Sequence, residues 1–344
     1  MRVLFIGNSY TYYNEMPTAL FAPFAAAAGF PVEVTAVTKG GWTLEKMADP
    51  ADEHGARAAE ALKEPYDYVV LQEQSLRPIL EPERFYGAVR KLAAAVREKG
   101  GKPILYATWG RKPGHEKLEE LGLTNETMTL ALSAAYRRIG EELEIPVAYV
   151  GQAFYEAKGE LYDPDGSHPS LAGSYLAAAT LCAKMFWIDP EGVEFTAGLK
   201  EAPALRRAAK TAVWGSHFDL LCSLAQIPAP SNHEEKRAEF CKNWLESKGA
   251  EGVYIDEALN VIYPLGDVSG EVVVYMGHSD VVFPDTEPLP LRVEDGKVYC
   301  PGIGDDTAQA VAVWPPPRRS PRKSCSPRKG CFWSSTPVRR GWAT

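Results

Sequence analysis

The chain has 344 residues, 45% of them hydrophobic and 24% charged, with 37 Lys or Arg against 45 Asp or Glu and a net charge of −8. At about 150 residues per domain this length predicts two domains, and the lack of any run of about 18 apolar residues argues against a membrane span. The first residues carry no basic stretch, apolar core or cleavage site of a secretion signal, so a cytoplasmic location is expected. The six cysteines at 182, 222, 241, 300, 325 and 331 have no paired zinc-ribbon spacing, and disulfides are not expected in a reducing compartment.

Strand patterns fall near 2–7, 32–38, 66–72, 102–107 and 145–150, alternating with helical patterns near 15–28, 53–63, 82–99, 125–143 and 171–186. Such alternation predicts a three-layer α/β/α domain with a five-stranded parallel, flavodoxin-like sheet whose functional groups gather at the carboxyl ends of the strands. The first strand, Arg2 to Ile6, runs into Gly7-Asn8-Ser9-Tyr10-Thr11. A strand-turn-helix of this kind can lift a serine Oγ out at the sheet edge, which makes Ser9 a candidate nucleophile. The alternative is a plain turn with a helix cap. The second strand leads to Gly40-Gly41, and the third, Tyr68 to Leu71, leads to Gln72-Glu73-Gln74-Ser75. After the fourth, Trp109, Gly110, Arg111 and Lys112 either line a substrate pocket or form a solvated loop with one aromatic anchor. Before the last helical pattern stands Tyr162-Asp163-Pro164-Asp165-Gly166-Ser167-His168-Pro169-Ser170. A serine nucleophile needs a base within hydrogen-bond reach and an acid that orients it; His168 and Asp165 can supply both from one loop. Read alone, that loop is equally a turn followed by a helix cap.

Taken in order, these segments resemble the SGNH (GDSL-like) hydrolase family over roughly residues 1–200. Ser9 matches the nucleophile block as Gly-Asn-Ser in place of Gly-Asp-Ser, Gly41 the second block, and Asp165 with His168 the final Asp-x-x-His. The third block departs from Gly-x-Asn-Asp: a glutamine amide replaces the asparagine, with Gln74 chosen for the role and Gln72 in reserve. The resemblance implies acyl transfer from a small ester to water through a Ser9–His168–Asp165 triad, with the Ser9 and Gly41 N–H groups and the Gln74 amide as the oxyanion hole. It implies no cofactor and a small acyl ester, such as an acetyl group on a carbohydrate, as substrate. A competing reading is a binding module in which the Gln72-Glu73-Gln74 departure marks lost chemistry.

The expected boundaries are 1–205 for this domain and 206–215 for a connecting helix. From 216 onward the pattern restarts with Ile227-Pro228-Ala229-Pro230-Ser231, a helix from Glu234 to Lys248, and strands at 252–255, 259–264 and 271–276. The last strand ends in Gly277-His278-Ser279-Asp280, and Gly302-Ile303-Gly304-Asp305-Asp306-Thr307 follows about 20 residues on. A strand-end His-x-Asp with a later carboxylate in a Gly-rich loop suits a metal site. Residues 216–314 resemble the amino-terminal part of di-zinc aminoacylase and carboxypeptidase-type metallopeptidases. That resemblance makes His278 a zinc ligand, Asp305 the bridging carboxylate and Asp280 the residue behind the imidazole. Thr307 stands where lysine is usual, and the family's later ligands do not follow. The fragment is an incomplete α/β domain, expected to hold zinc loosely at most.

Residues 315–344 hold eight Lys or Arg and no Asp or Glu, which leaves 29 basic against 45 acidic residues, a net −16, in residues 1–314. The tail reads either as a disordered, basic, Pro-rich arm for nucleic acid or as a reading-frame shift near Trp314. In the other frame, the codons of Gly330 onward permit Val-Leu-Leu-Val-Val-Asn-Ser-Cys-Glu-Glu-Gly, a buried strand followed by the metallopeptidase's next motif. The frame shift is the reading adopted, with no nucleic-acid partner expected.

Overall fold

The computed structural model describes residues 1–157, 159–215, 217–247, 249–265, 268–284, 287–294, 297–312 and 330–335. The chain divides into two compact units, Met1–Gly215 and Ser216–Thr344.

The first unit is built on β1 (Arg2–Gly7), β2 (Glu33–Thr38), β3 (Tyr68–Leu71), β4 (Lys102–Ala107) and β5 (Val147–Tyr149), ordered β2-β1-β3-β4-β5. Every neighbouring pair is parallel. Alternate side chains of one strand face opposite ways, and both faces are covered. Val3, Phe5, Val70, Ile104 and Tyr106 pack into one cluster with helices Ala22–Ala27, Val150–Glu156, Leu171–Phe186 and Ala202–Trp214. Leu4, Ile6, Val69, Leu71 and Leu105 pack into another with helices Leu44–Met47, Glu53–Ala61, Pro82–Glu98 and Asn125–Leu143. The result is the predicted three-layer α/β/α fold. The strand order reverses between β1 and β3, and it is there, beyond the strands' carboxyl ends, that open sheets of this type leave a crevice.

Two expectations change in this unit. The helix expected over 15–28 is broken: Asn14 and Glu15 lie in the left-handed region (φ 54° and 50°), a wider turn spans Met16–Phe21, and α-helix begins only at Ala22. The helix assigned to a linker spans Ala202–Trp214 and buries Ala202, Leu205, Ala208 and Ala209 in the first cluster, so it belongs to the first unit's core.

In the second unit, β6 (Tyr254–Ile255), β7 (Val261–Leu265), β8 (Val272–Gly277) and a strand at Gly330–Ser335 form one sheet. The strand at 330–335 lies between β7, antiparallel to it, and β8, parallel to it. The disorder expected throughout 315–344 therefore does not extend to these six residues, whose backbone groups find ladder partners on both sides; the rest of that tail lies outside the described residues. Among the described residues no helix is long and apolar enough to cross a membrane.

Candidate active site

β1 ends at Gly7, where a Cβ would fall 2.6 Å from Thr11 Oγ1 and 2.7 Å from Gln72 Oε1, so no larger residue fits. Asn8 then holds the turn with three hydrogen bonds. Its N–H donates to Gln72 Oε1 (2.9 Å), its Nδ2 to the Trp42 carbonyl (3.0 Å), and its Oδ1 accepts the Tyr10 N–H (3.2 Å). Ser9 opens the short helix Ser9–Tyr12. Its N–H has no acceptor among the described residues, and its Oγ lies 2.9 Å from His168 Nε2.

His168 comes from a tight loop closed by hydrogen bonds from Asp163 N–H to the His168 carbonyl and from Gly166 N–H to the Asp163 carbonyl, both 2.9 Å. Within it, Asp165 Oδ1 accepts the Ser167 and His168 N–H groups, each at 2.9 Å, while Oδ2 lies 2.5 Å from His168 Nδ1. Partial burial pushes the Asp165 carboxyl up, but these hydrogen bonds outweigh it and hold the group down at about 2. A carboxylate on Nδ1 favours the tautomer with its proton there, leaving Nε2 free to accept the Ser9 hydroxyl proton. The imidazole is held by rings as well: Tyr13 stacks on it at 4.2 Å, and Tyr10 meets it edge-on at 5.4 Å. Asn14 Nδ2 straps this region together by donating to the Pro169 carbonyl (3.0 Å) and to Ser174 Oγ (2.9 Å).

Gly41 sits in the turn after β2 at φ +73°, where any other residue would be strained. Its N–H, like that of Ser9, has no acceptor among the described residues. The two glutamines separate clearly. Gln72 is fully buried; its Oε1 accepts from Asn8 N–H and Thr11 Oγ1, and its Nε2 donates to the Glu73 carbonyl. Both ends of that amide are engaged within the turn, which makes Gln72 a strut there. Gln74 uses its Oε1 to cap Leu76 and Arg77 at 2.9 and 3.1 Å, leaving Nε2 with one long contact of 3.4 Å to Ser75 Oγ.

Between them, Glu73 is fully buried, with Oε1 accepting the Leu44 N–H (3.0 Å) and the Gln74 N–H (2.6 Å) and Oε2 without a partner. Burial pushes its carboxyl up to about 7 against the pull of those donors and of Arg77. The sequence assigned no role to Glu73, Tyr13 or Asn14. The aromatic run Tyr10-Thr11-Tyr12-Tyr13 next to a nucleophile was the one signal that could have drawn notice to them.

In the second unit His278 Nδ1 lies 3.0 Å from Asp280 Oδ1, and His278 Nε2 lies 3.2 Å from Asp305 Oδ1. Asp280 Oδ2 also accepts from Ser231 Oγ at 2.6 Å. The three predicted residues thus meet. Yet among the described residues no group of three or more His, Cys, Asp or Glu can hold an ion. The donor set falls short of the four-coordinate shell that zinc takes in closed sites, and no chemistry is routed through a metal.

No protein-family model matches the chain, and no curated protein matches it. Among solved structures, a "putative SGNH hydrolase" from Slackia heliotrinireducens is 35% identical, with 54% of this chain covering 98% of that one at a TM-score of 0.49. Identity at that level over almost the whole of the other protein makes this chain a member of the SGNH hydrolases, in the part that carries the likeness. It is a hydrolase. A DUF4886 family protein from Bacteroides uniformis shares the fold at 20% identity, covering 62% of this chain and 94% of that one, TM-score 0.53. The acetylxylan esterase Axe2 from Geobacillus stearothermophilus is a looser likeness, 16% identical with 52% and 92% covered and a TM-score of 0.37, too loose to bear on substrate.

Proposed function

We propose that the first unit hydrolyses a small acyl ester, with Ser9 as nucleophile, His168 as general base and Asp165 as the group that orients the imidazole. The reading rests on one observation above all, the unbroken pair of hydrogen bonds from Ser9 Oγ to His168 Nε2 (2.9 Å) and from His168 Nδ1 to Asp165 Oδ2 (2.5 Å). His168 Nε2 takes the hydroxyl proton as Ser9 Oγ attacks the ester carbonyl carbon. The carbonyl oxygen gathers negative charge and is met by the free N–H groups of Ser9 and Gly41 and by Gln74 Nε2, each such donor lowering the barrier by roughly 3 kcal/mol. The proton on Nε2 passes to the departing alkoxide. Water, deprotonated by the same nitrogen, then releases the acid. An acetyl-sized acyl group on a carbohydrate is the substrate the family resemblance favours.

Hydrolysis of 4-nitrophenyl acetate by the wild type and by Ser9→Ala tests this. The variant is expected to lose at least about 10³-fold in kcat, and a fluorophosphonate is expected to label Ser9 and nothing else. Equal rates would end the esterase reading.

For the second unit we infer a fragment of a di-zinc peptidase-type domain, on the strength of the His278, Asp280 and Asp305 cluster.

A further inference from the structure

Arg111, in the loop that follows β4, has no counter-charge among the described residues. Its Nη1 donates to Ser167 Oγ at 2.5 Å and lies 3.4 Å from His115 Nε2, while its Nε is buried with no partner. No Asp or Glu among the described residues comes within ion-pair distance of it. Its setting is tied to both halves of the triad. Ser167 precedes His168, and Ser167 Oγ is 2.6 Å from the hydroxyl of Tyr10, which follows Ser9. The Tyr10 ring in turn lies edge-on to His168 and stacks on the buried Trp109 at 4.8 Å. Arg111 therefore touches the residue before His168 and is one hydroxyl away from the residue after Ser9.

A guanidinium offers five N–H donors in a fork that matches a carboxylate, and leaving it partly buried and unpaired is costly unless something else completes it. The neighbouring basic side chains Lys112 and Lys117 are already paired, with Glu160 and Glu120. The chain carries a net −8, so an anionic substrate approaching it needs a local cation at the site.

We infer that Arg111 is a specificity-determining residue that binds a carboxylate on the substrate, so that the enzyme takes a carboxylate-bearing ester over a neutral one of the same size. This rests on the reading of Ser9 as the nucleophile. The carboxylate can belong to the acyl group or to the alcohol, and separate probes distinguish them. 4-Nitrophenyl hydrogen succinate carries it on the acyl side, with 4-nitrophenyl butyrate as the neutral control. 4-Acetoxybenzoate carries it on the alcohol side, with its methyl ester as the control.

The expected result is a wild-type kcat/KM at least tenfold higher for one anionic ester than for its control, a ratio that falls to about one in Arg111→Met and is partly kept in Arg111→Lys. If Arg111 only braced the Ser167 loop, Arg111→Met would slow both esters of a pair alike and leave the ratio unchanged, which would overturn the inference. A wild type that cleaves neutral esters and prefers neither anionic one also overturns it, while leaving the esterase reading intact. If no ester is cleaved and Ser9 is not labelled, the esterase reading fails by itself. Calorimetric titration with succinate and with benzoate then decides the carboxylate site: binding by wild type that is lost in Arg111→Met supports it, and no binding ends it.

Discussion

Ser9 and His168 lie 159 residues apart in the chain, and what distinguishes Ser9 from an ordinary cap serine is the orientation already imposed on its partner. Asp165 holds the imidazole from one side through Nδ1, and Tyr13 and Tyr10 hold its ring plane. Asp165→Asn keeps an oxygen for the backbone N–H groups but removes the charge opposite Nδ1, so kcat is expected to fall about 10³–10⁴-fold with little change in KM. Steady-state kinetics on 4-nitrophenyl acetate check this. The Asp165 carboxyl is held below its ordinary value of 3.8, at about 2, so its stabilising contribution is complete above about pH 4 and is lost as the pH falls through about 2. Gln74→Ala removes the proposed side-chain oxyanion donor and is expected to cost about 10²–10³-fold in kcat. The same substitution at Gln72 would unfold the turn, a loss visible in thermal melting before any rate is measured. That division of labour was not legible in the sequence. Two glutamines separated by one residue look alike until the fold gives one of them Asn8 and Thr11 as neighbours.

At the scale of elements, the turns after β1, β2 and β3 are joined by buried polar contacts. Asn8 reaches Trp42, Gln72 reaches Asn8, and Glu73 reaches Leu44 at the start of the helix that follows the Gly41 turn. Glu73 makes this junction sensitive to pH. Its proton is held to about pH 7 in the folded protein against 4.5 for an ordinary glutamate. Its contribution to stability is therefore full below about pH 4.5 and is lost as the pH rises through about 7, roughly 3 kcal/mol in all. Glu73→Gln, neutral at every pH, is expected to flatten that decline. Urea midpoints at about pH 5 and about pH 8 would reveal it, and a decline as steep as in the wild type would refute it. The strands and most helices were legible because alternation and apolar periodicity report burial directly. The break at Asn14 and Glu15 was not. Two left-handed residues that are not glycine have no compositional mark, and they are maintained by the contact of Asn14 with the His168 loop, which only the folded chain supplies.

For the molecule as a whole, the first unit has buried clusters on both faces of its sheet, formed by its own residues. Residues 1–215 expressed alone are expected to fold and to hydrolyse 4-nitrophenyl acetate at the rate of the full chain. A loss beyond about tenfold would mean that the second unit takes part. Among the described residues the second unit offers only His278 and Asp305 as direct metal ligands, with Asp280 behind the imidazole, so purified protein is expected to carry no stoichiometric zinc by elemental analysis; tightly held zinc would revive the peptidase reading. The strand at Gly330–Ser335 lies between β7 and β8, over residues for which the alternative frame permits Val-Leu-Leu-Val-Val; the frame shift remains a proposal. Resequencing the gene, with the intact mass of the native protein, checks that frame. The sequence pointed to the SGNH hydrolases, and suggested a metallopeptidase-type origin for the second unit, through motifs at strand ends, where chemistry restricts residue choice. It showed a helix near 206–215 but not its place in the core, because an amphipathic helix reads alike as linker or core until its partner face is known.

The stacking of Tyr13 on His168 has a consequence beyond orientation. An aromatic ring shields nuclei held above its face, so the carbon-bound protons of the His168 imidazole should resonate upfield of those of a solvent-exposed histidine. Once the Tyr13 side of the turn and the His168 loop come apart, that displacement should vanish. The proposed triad thus carries its own magnetic reporter, one that registers its assembly without substrate or turnover.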